Sequence, residues 1–511
     1  MKIAIDTADL DCERIDGTRV YIQNVLKYLG KLAPEDEFFL FHKTEYNELL
    51  RPVEFKNYHD KSLGNGFWWT QIKFARAVRK LKPGVCWMPI QQIPFLNFKF
   101  KILNFNSIFN DLIFKFKLVF SGGKVKFRKA NVSSDLKTPH PSFREKRDDP
   151  LYPTSPNRLR GTGVESGIKY VVTIHDLAFK KGLFPDHFPL IDRLKNNFYT
   201  DMAVKRADRI IAISEATKKD LIKFYPKIDE KKIVVVHHGF DRENFEQEFG
   251  EEEKREFLEK WKIIESKVNP TFPLRFQLRG INSFQLRETR SRNYLLYVGA
   301  IQPRKDLVTL IKVFNKLKLQ DTRGKRMTND KLQMTNDSEE MTNDKLQMTN
   351  NEVQVDNKSQ KAIDASGLKL VLVGERAWKS ESTLREIDKS EFRDDIIVTG
   401  KVDFKELAMF YRFAKVFVFP SLYEGFGIPI LEAMASKTPV VVADNSSLPE
   451  VGGEAVLKFK TGDSSGLERQ LRKLLGDERL REEMIEKGLK RVKKFSWEKC
   501  ARETLEVLRG I

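Results

Sequence analysis

Lys415–Asp444 reads KVFVFPSLYEGFGIPILEAMASKTPVVVAD. Two apolar, β-rich runs of strand length, Lys415–Ser421 and Pro439–Asp444, bracket a glycine loop and an apolar segment of helical length. A strand, helix, strand unit of this kind joins parallel neighbours, and strands that are apolar throughout are buried on both faces. The same rhythm runs outward in both directions. Upstream stand Tyr294–Ala300, Leu368–Gly374 and Ile396–Gly400, and downstream Ala455–Phe459. An earlier set comprises Lys2–Asp6, Glu37–His42, Val85–Ile90, Tyr170–Asp176, Arg209–Ser214 and Lys232–Gly239. Between them lie helical patterns such as Leu307, Leu310, Ile311, Phe314 and Leu317. Two sets of strands predict an α/β chain of two doubly wound, Rossmann-like domains with a cleft between them, meeting near Phe240.

Three stretches break the rhythm: about 97–167, 265–292 and 320–367. The first alternates Lys with apolar residues in FKFKIL and FKFKLVF and then turns Pro- and charge-rich. The third repeats MTNDKLQ-like heptads from Met327, but Met and Leu/Val recur at a five-then-two spacing that makes no single helical seam. It reads as a low-complexity insertion. The chain has 91 Lys plus Arg against 72 Asp plus Glu, a net charge of +19. Asn97–Gly167 alone has 14 basic and 6 acidic residues, so much of the excess sits outside the regular pattern. A basic excess favours phosphates, acidic glycans or anionic lipid. A nucleic-acid binder would gather its charge with stacking aromatics on one face, which this distribution disfavours. No run of about 18 apolar residues predicts a membrane span. Three scattered cysteines, Cys12, Cys86 and Cys500, fit neither a disulfide framework nor a zinc cluster and suit a reducing cytoplasm.

In doubly wound folds, ligands sit beyond the carboxyl ends of the strands. After Lys415–Phe419, Gly425 and Gly427 permit close backbone approach, and Pro429 suits the first turn of a helix whose amides would face an anion. Glu424 in the loop and Glu432 in the helix offer carboxylates to paired hydroxyls, the chemistry of sugar and ribose diols. After Tyr294–Ala300, Arg304 and Lys305 stand at the start of another helix, a guanidinium and an ammonium suited to a diphosphate.

VGAIQPRKDL, FVFPSLYEGFGIPILEAMA and SSLPEV in the second half resemble retaining glycosyltransferases of the GT-B fold, glycosyltransferase family 4, as do VVTIHDLAF, IAISEATKKDL and VVVHHGFD in the first. The likeness is to bacterial mannosyltransferase-like members of polysaccharide biosynthesis. It implies an acceptor-side domain over 1–240, a nucleotide-sugar-binding domain over 241–493, and a C-terminal helix, 494–511, packing back on the first domain. By the resemblance, Glu424 touches the donor sugar, Glu432 the nucleotide ribose, and Arg304 and Lys305 the donor diphosphate. Backbone amides around Gly425, Phe426, Gly427 and Ile428 meet sugar hydroxyls or phosphate, and Val398–Lys401 lies near the base. His175 comes near the transferred sugar, and Gly17 belongs to a glycine-rich turn near the phosphates. Two departures stand out: Arg19 and Val20 where relatives show Gly-Arg, and Lys437 where relatives often have Gly.

The implied reaction moves a hexose, with mannose from GDP-mannose as the expected donor, to a hydroxyl of a glycan or lipid-linked acceptor with retained configuration. It needs no metal and no resident cofactor, the nucleotide sugar being a co-substrate. The expected setting is the cytoplasm, with peripheral contact to anionic lipid on the inner face of the membrane and no nucleic acid. The alternatives are a catalytically inactive GT-B scaffold, or a nucleotide-sugar-binding protein, because insertions interrupt the nucleotide domain.

Overall fold

The computed structural model describes residues 1–13, 16–66, 69–94, 167–180, 190–264, 293–320, 365 and 367–511. The lysine-alternating ribbons and the heptad repeat lie outside the described residues, as do nearly all of the three insertions. The strands form two sheets. The first contains β1 (Lys2–Asp6), β2 (Glu37–His42), β3 (Tyr58–Ser62), β4 (Val85–Met88), β5 (Lys169–Ile174), β6 (Arg209–Ala212) and β7 (Ile233–Val235). Its spatial order is β3-β2-β1-β4-β5-β6-β7. The second contains β8 (Tyr294–Val298), β9 (Lys369–Val373), β10 (Ile396–Gly400), β11 (Val416–Phe419), β12 (Val440–Ala443) and β13 (Val456–Phe459), ordered β10-β9-β8-β11-β12-β13. Every neighbouring pair is parallel. In both sheets the order reverses at the first strand, so the switch points fall between β1 and β4 and between β8 and β11.

Burial explains why these runs are strands. Ile3, Ala4 and Ile5 are wholly enclosed, as are Leu295, Leu296 and Tyr297, because helices cover both faces. Two details of the sequence reading need correction. β3, YHDKS, escapes notice because it is an edge strand with half-exposed polar residues and no apolar run. β7 stops at Val235 instead of reaching Gly239, because His237 and His238 leave the sheet to face Phe426 of the second half.

The chain leaves the first sheet and returns to it at one place. A Cβ on Gly239 would stand 2.1 Å from the Trp497 amide nitrogen and 2.4 Å from the Ser496 carbonyl carbon, so only glycine lets the two crossings touch. The helix Trp497–Arg509 is capped by Ser496, whose Oγ accepts from the Lys499 amide at 3.1 Å. Its apolar stripe of Trp497, Cys500, Ala501, Leu505 and Leu508 joins the core that also contains Tyr21, Ile22, Val25 and Leu29 of the helix Gly17–Leu32. Full burial of side chains the size of Leu505 and Leu508 contributes about 1.5–3 kcal/mol each. Arg509 ties the far end by donating to Asp36 at 2.9 Å and Glu35 at 2.6 Å. The last helix thus fastens the end of the chain to the domain where it begins. Among the described residues, no helix is long and apolar enough to cross a membrane.

Lys437 illustrates a local cost. The helix Ile428–Ala435 closes in a Schellman turn, with the Thr438 amide donating to Ala433 at 2.9 Å and the Lys437 amide to Met434 at 3.2 Å. That turn holds Lys437 at φ +57, a left-handed conformation suited to glycine. Its ammonium pairs with the exposed Glu248 carboxylate. Lys437→Gly should therefore stabilise the protein by about 0.5–1 kcal/mol after loss of the ion pair. A thermal or denaturant melt at neutral pH checks this, and a fall in stability would contradict it.

Candidate active site

The loops after β8 and β11 meet at the switch point of the second sheet. Pro303–Lys305 forms a short 3₁₀ turn, held by the Leu422 amide donating to the Arg304 carbonyl at 2.9 Å. From that turn the Arg304 guanidinium donates to the Tyr423 carbonyl at 2.8 Å and to Glu424 Oε2 at 3.3 Å. The Lys305 ammonium donates to Glu424 Oε1 and stands 5.0 Å from the centre of the Phe419 ring. All three side chains are largely buried, Lys305 and Glu424 each being 8% exposed. Burial alone would raise the Glu424 carboxyl, but Lys305 and Arg304 outweigh it and hold the group below the usual carboxylate range. Burial likewise opposes the Arg304 charge, and Glu424 more than restores it. For Lys305, burial prevails and lowers its pKa. The cluster therefore has two cations around one carboxylate, with a net positive charge.

The glycine loop after β11 is anchored from several sides. Gly427 adopts φ +108 and caps the helix Ile428–Ala435, with proline in its first turn. Such a helix start leaves amides without intrahelical partners. Gly425 is pressed against the first domain, where an added Cβ would stand 2.2 Å from the His175 carbonyl oxygen. Phe426 is buried, 5.1 Å from the ring of His238, and Ile428 packs against both cores. Glu432, further along the helix, accepts from the Tyr411 hydroxyl at 2.7 Å. Burial pushes the Glu432 carboxyl up to about 7, against the effect of the Tyr411 hydroxyl.

His175 follows β5, with Nε2 2.8 Å from the Pro89 carbonyl and its ring edge-on to Tyr21. A carbonyl only accepts, so Nε2 carries the proton and Nδ1 is left as an acceptor. Burial lowers the His175 pKa and keeps the ring neutral.

The structure thus brings Arg304, Lys305 and Glu424 into one cluster, and sets Gly425 against the His175 backbone. Two predicted residues lie on other elements. Val398 lies on β10, at the sheet edge and separated from β11 by β9 and β8. Gly17 opens the helix Gly17–Leu32, where a Cβ would meet open space, and the neighbouring Arg19 guanidinium is turned to the Asp9 carbonyl at 3.1 Å. Sequence reasoning missed Tyr411, whose hydroxyl aims Glu432, and Tyr423, whose hydroxyl donates to Asp220 of the first domain at 2.8 Å. Tyr411 sits in an apolar, aromatic helical run where a core role is the ordinary reading, and Tyr423 in the glycine loop bears no mark of its partner.

Comparison with known proteins agrees with this fold. Residues 151–244 match the family model for Glycosyltransferase Family 4, and residues 355–491 that for Glycosyl transferases group 1. The two matches support a glycosyltransferase of the family 4 type. Its GT-B fold is shared with Anabaena HepE in complex with UDP, at a TM-score of 0.57 and 11% identity over the whole of both chains. Sucrose-phosphate synthase from Thermosynechococcus elongatus gives 0.57 at 15% identity, covering 100% of this chain and 98% of that one. Among curated relatives, O-antigen chain mannosyltransferase B of Escherichia coli is 38% identical over 136 residues, 27% of this chain and 36% of that protein. The O-antigen chain mannosyltransferase RfbU of Salmonella typhimurium is 23% identical over 303 residues, 59% of this chain and 60% of that one. The chain therefore spans less than two thirds of the length of either relative.

In this GT-B site the carboxylate of Glu424 is the main charge that offsets the buried cation pair, with Asp176 adding to it. Glu424→Ala should cost about 3 kcal/mol of stability, because it leaves buried charges uncompensated. Pyrophosphate should restore part of that loss while affecting the parent protein less. Denaturant melts with and without pyrophosphate check this; a variant indifferent to the anion would contradict it.

Proposed function

We propose that the protein transfers a hexose, mannose from GDP-mannose, to a hydroxyl of a glycan or lipid-linked acceptor in cell-surface polysaccharide biosynthesis. The carrying observation is the Arg304, Lys305 and Glu424 cluster at the switch point, abutting the His175 loop of the other domain. The mannose assignment is supported by the two O-antigen mannosyltransferase relatives.

In this reading the donor diphosphate takes the place of the Glu424 carboxylate on the cation pair, and Glu424 turns to the sugar hydroxyls. Glu432 accepts from the ribose diol, with Val398–Lys401 near the base, and His175 Nδ1 accepts from a sugar hydroxyl. As the bond between the anomeric carbon and phosphate oxygen breaks, negative charge grows on the leaving diphosphate. Arg304, Lys305 and the amides at the start of the helix Ile428–Ala435 stabilise that charge without a divalent ion. The acceptor oxygen bonds to the same face of the short-lived oxocarbenium-like centre, giving retention, and its proton passes to the departing phosphate oxygen. Closure of the two domains excludes water that would hydrolyse the donor. We place the reaction in the cytoplasm at the inner membrane face, with the basic stretch 97–167 drawn to anionic lipid.

A thermal-shift screen of GDP-, UDP-, ADP- and dTDP-sugars identifies the donor, since a ligand at 100 times its Kd stabilises the fold by about 2.7 kcal/mol. GDP-mannose should give the largest shift, and Arg304→Ala or Glu432→Ala should abolish both shift and transfer. Stabilisation by none of the four, with no transfer to lipid-linked glycan, would contradict the proposal.

Glu432 also sets a pH dependence. Its pKa of about 7 lies above the ordinary 4.5, so the folded state holds the proton more tightly than the unfolded one. The stability it contributes is complete below 4.5 and lost as pH rises through about 7. Ribose binding, which uses the ionised form, should follow the opposite course. Nucleoside diphosphate affinity, taken relative to Glu432→Gln, should rise by up to about tenfold from pH 6 to 8. Titration calorimetry at both pH values tests this, and parallel profiles for the two proteins would contradict it.

A further inference from the structure

The SSLPEV segment has no role in the chemistry above, yet it touches both halves of the site. On one side, Ser446 Oγ accepts from the Glu424 amide at 3.0 Å, and Ser447 Oγ donates to the carbonyls of Glu424 at 3.0 Å and Phe426 at 2.7 Å. Asn445 adds a bond from its side-chain amide to the Ser421 carbonyl at 2.8 Å. The loop that bears Glu424 is thereby fastened to residues 445–447.

On the other side, Glu450 reaches into the first domain. Its carboxylate accepts from the backbone amides of Glu215 at 2.8 Å and Ala216 at 3.1 Å, at the start of the helix Glu215–Phe224. His237 Nε2 lies 2.7 Å from the same group. The carboxylate thus supplies, from another domain, the anionic cap that a helix start favours. Beside it, Ser214 Oγ donates to the Gly425 carbonyl at 2.8 Å. Arg491 braces the turn from behind, with Nε donating to the Val451 carbonyl at 2.9 Å.

We propose that Glu450 is a positioning residue that couples closure of the two domains to the placement of Glu424, so that the first domain helps to shape the donor loop. The inference rests on the glycosyltransferase reading only for its kinetic consequence; the latch itself is a property of the chain. When the domains part, the amides of Glu215 and Ala216 lose their acceptor, and residues 445–447 lose the brace that sets the loop. When they close, Glu450 and Ser214 grip residues on either side of the reacting centre. The side-chain carboxylate of Glu450 is engaged by Glu215, Ala216 and His237, so its role is to position.

Hydrogen exchange followed by mass spectrometry, on the full chain and on Glu450→Ala, tests this. Exchange in the variant should quicken by at least about tenfold both at residues 215–216 and in the loop 423–427. The Kd for a nucleoside diphosphate should stay within about threefold of the parent, while kcat for transfer falls by at least about tenfold. Unchanged exchange at 215–216, or quickening there without any at 423–427, overturns the coupling. A variant that no longer binds nucleoside diphosphate overturns it too, since Glu450 would then support the nucleotide domain itself. If the parent protein transfers no sugar, the functional reading falls, and the exchange pattern still decides the latch.

Discussion

The site depends on the electrostatics of two buried cations sharing one carboxylate. Arg304 and Lys305 lie beside the switch point between β8 and β11, and Glu424 is their principal counter-charge among the described residues. Burying such a group without a partner is costly, so whatever replaces Glu424 on the pair must itself be anionic. A diphosphate has that charge and the right number of acceptor oxygens. Glu424 can leave the pair only when such an anion arrives, which ties release of the sugar-binding carboxylate to the presence of donor.

The surrounding fold holds this exchange in register. Tyr423, Glu424 and Gly425 are consecutive, and each is gripped differently: Tyr423 by Asp220 through its hydroxyl, Glu424 by the cation pair, and Gly425 by Ser214 through its carbonyl. Two of those three grips come from the first domain. The helix Trp497–Arg509 and the crossing at Gly239 keep that domain tethered to the second by two adjacent passages of the chain. The domains meet around the same residues that hold the charge.

Much of the architecture was legible in the sequence because parallel strands buried on both faces are written as unbroken apolar runs. Lys415–Asp444 displays strand, loop, helix and strand in order, and β11 and β12 lie within the expected runs. β3 was not legible, since an edge strand of Tyr, His, Asp, Lys and Ser bears no such mark. Within the site, Arg304, Lys305, Glu424 and Glu432 stood out as charges in or just after the loops that follow β8 and β11. The bonds that aim them did not, because neither a tyrosine hydroxyl, as at Tyr411 and Tyr423, nor the Glu450 carboxylate bears any mark in the sequence of the distant partner it meets. Spacing along a chain shows which groups stand after which strand. It does not show which of them meet across a cleft between residues 235 positions apart, as Glu215 and Glu450 do.

The most direct test of the central claim is a crystal structure of the full chain with a nucleoside diphosphate sugar bound. The account predicts diphosphate oxygens within hydrogen-bond distance of both Arg304 and Lys305, the Glu424 carboxylate turned away from the pair toward the sugar, and the ribose diol on Glu432. A donor bound elsewhere, with Glu424 still paired to Arg304 and Lys305, would contradict it.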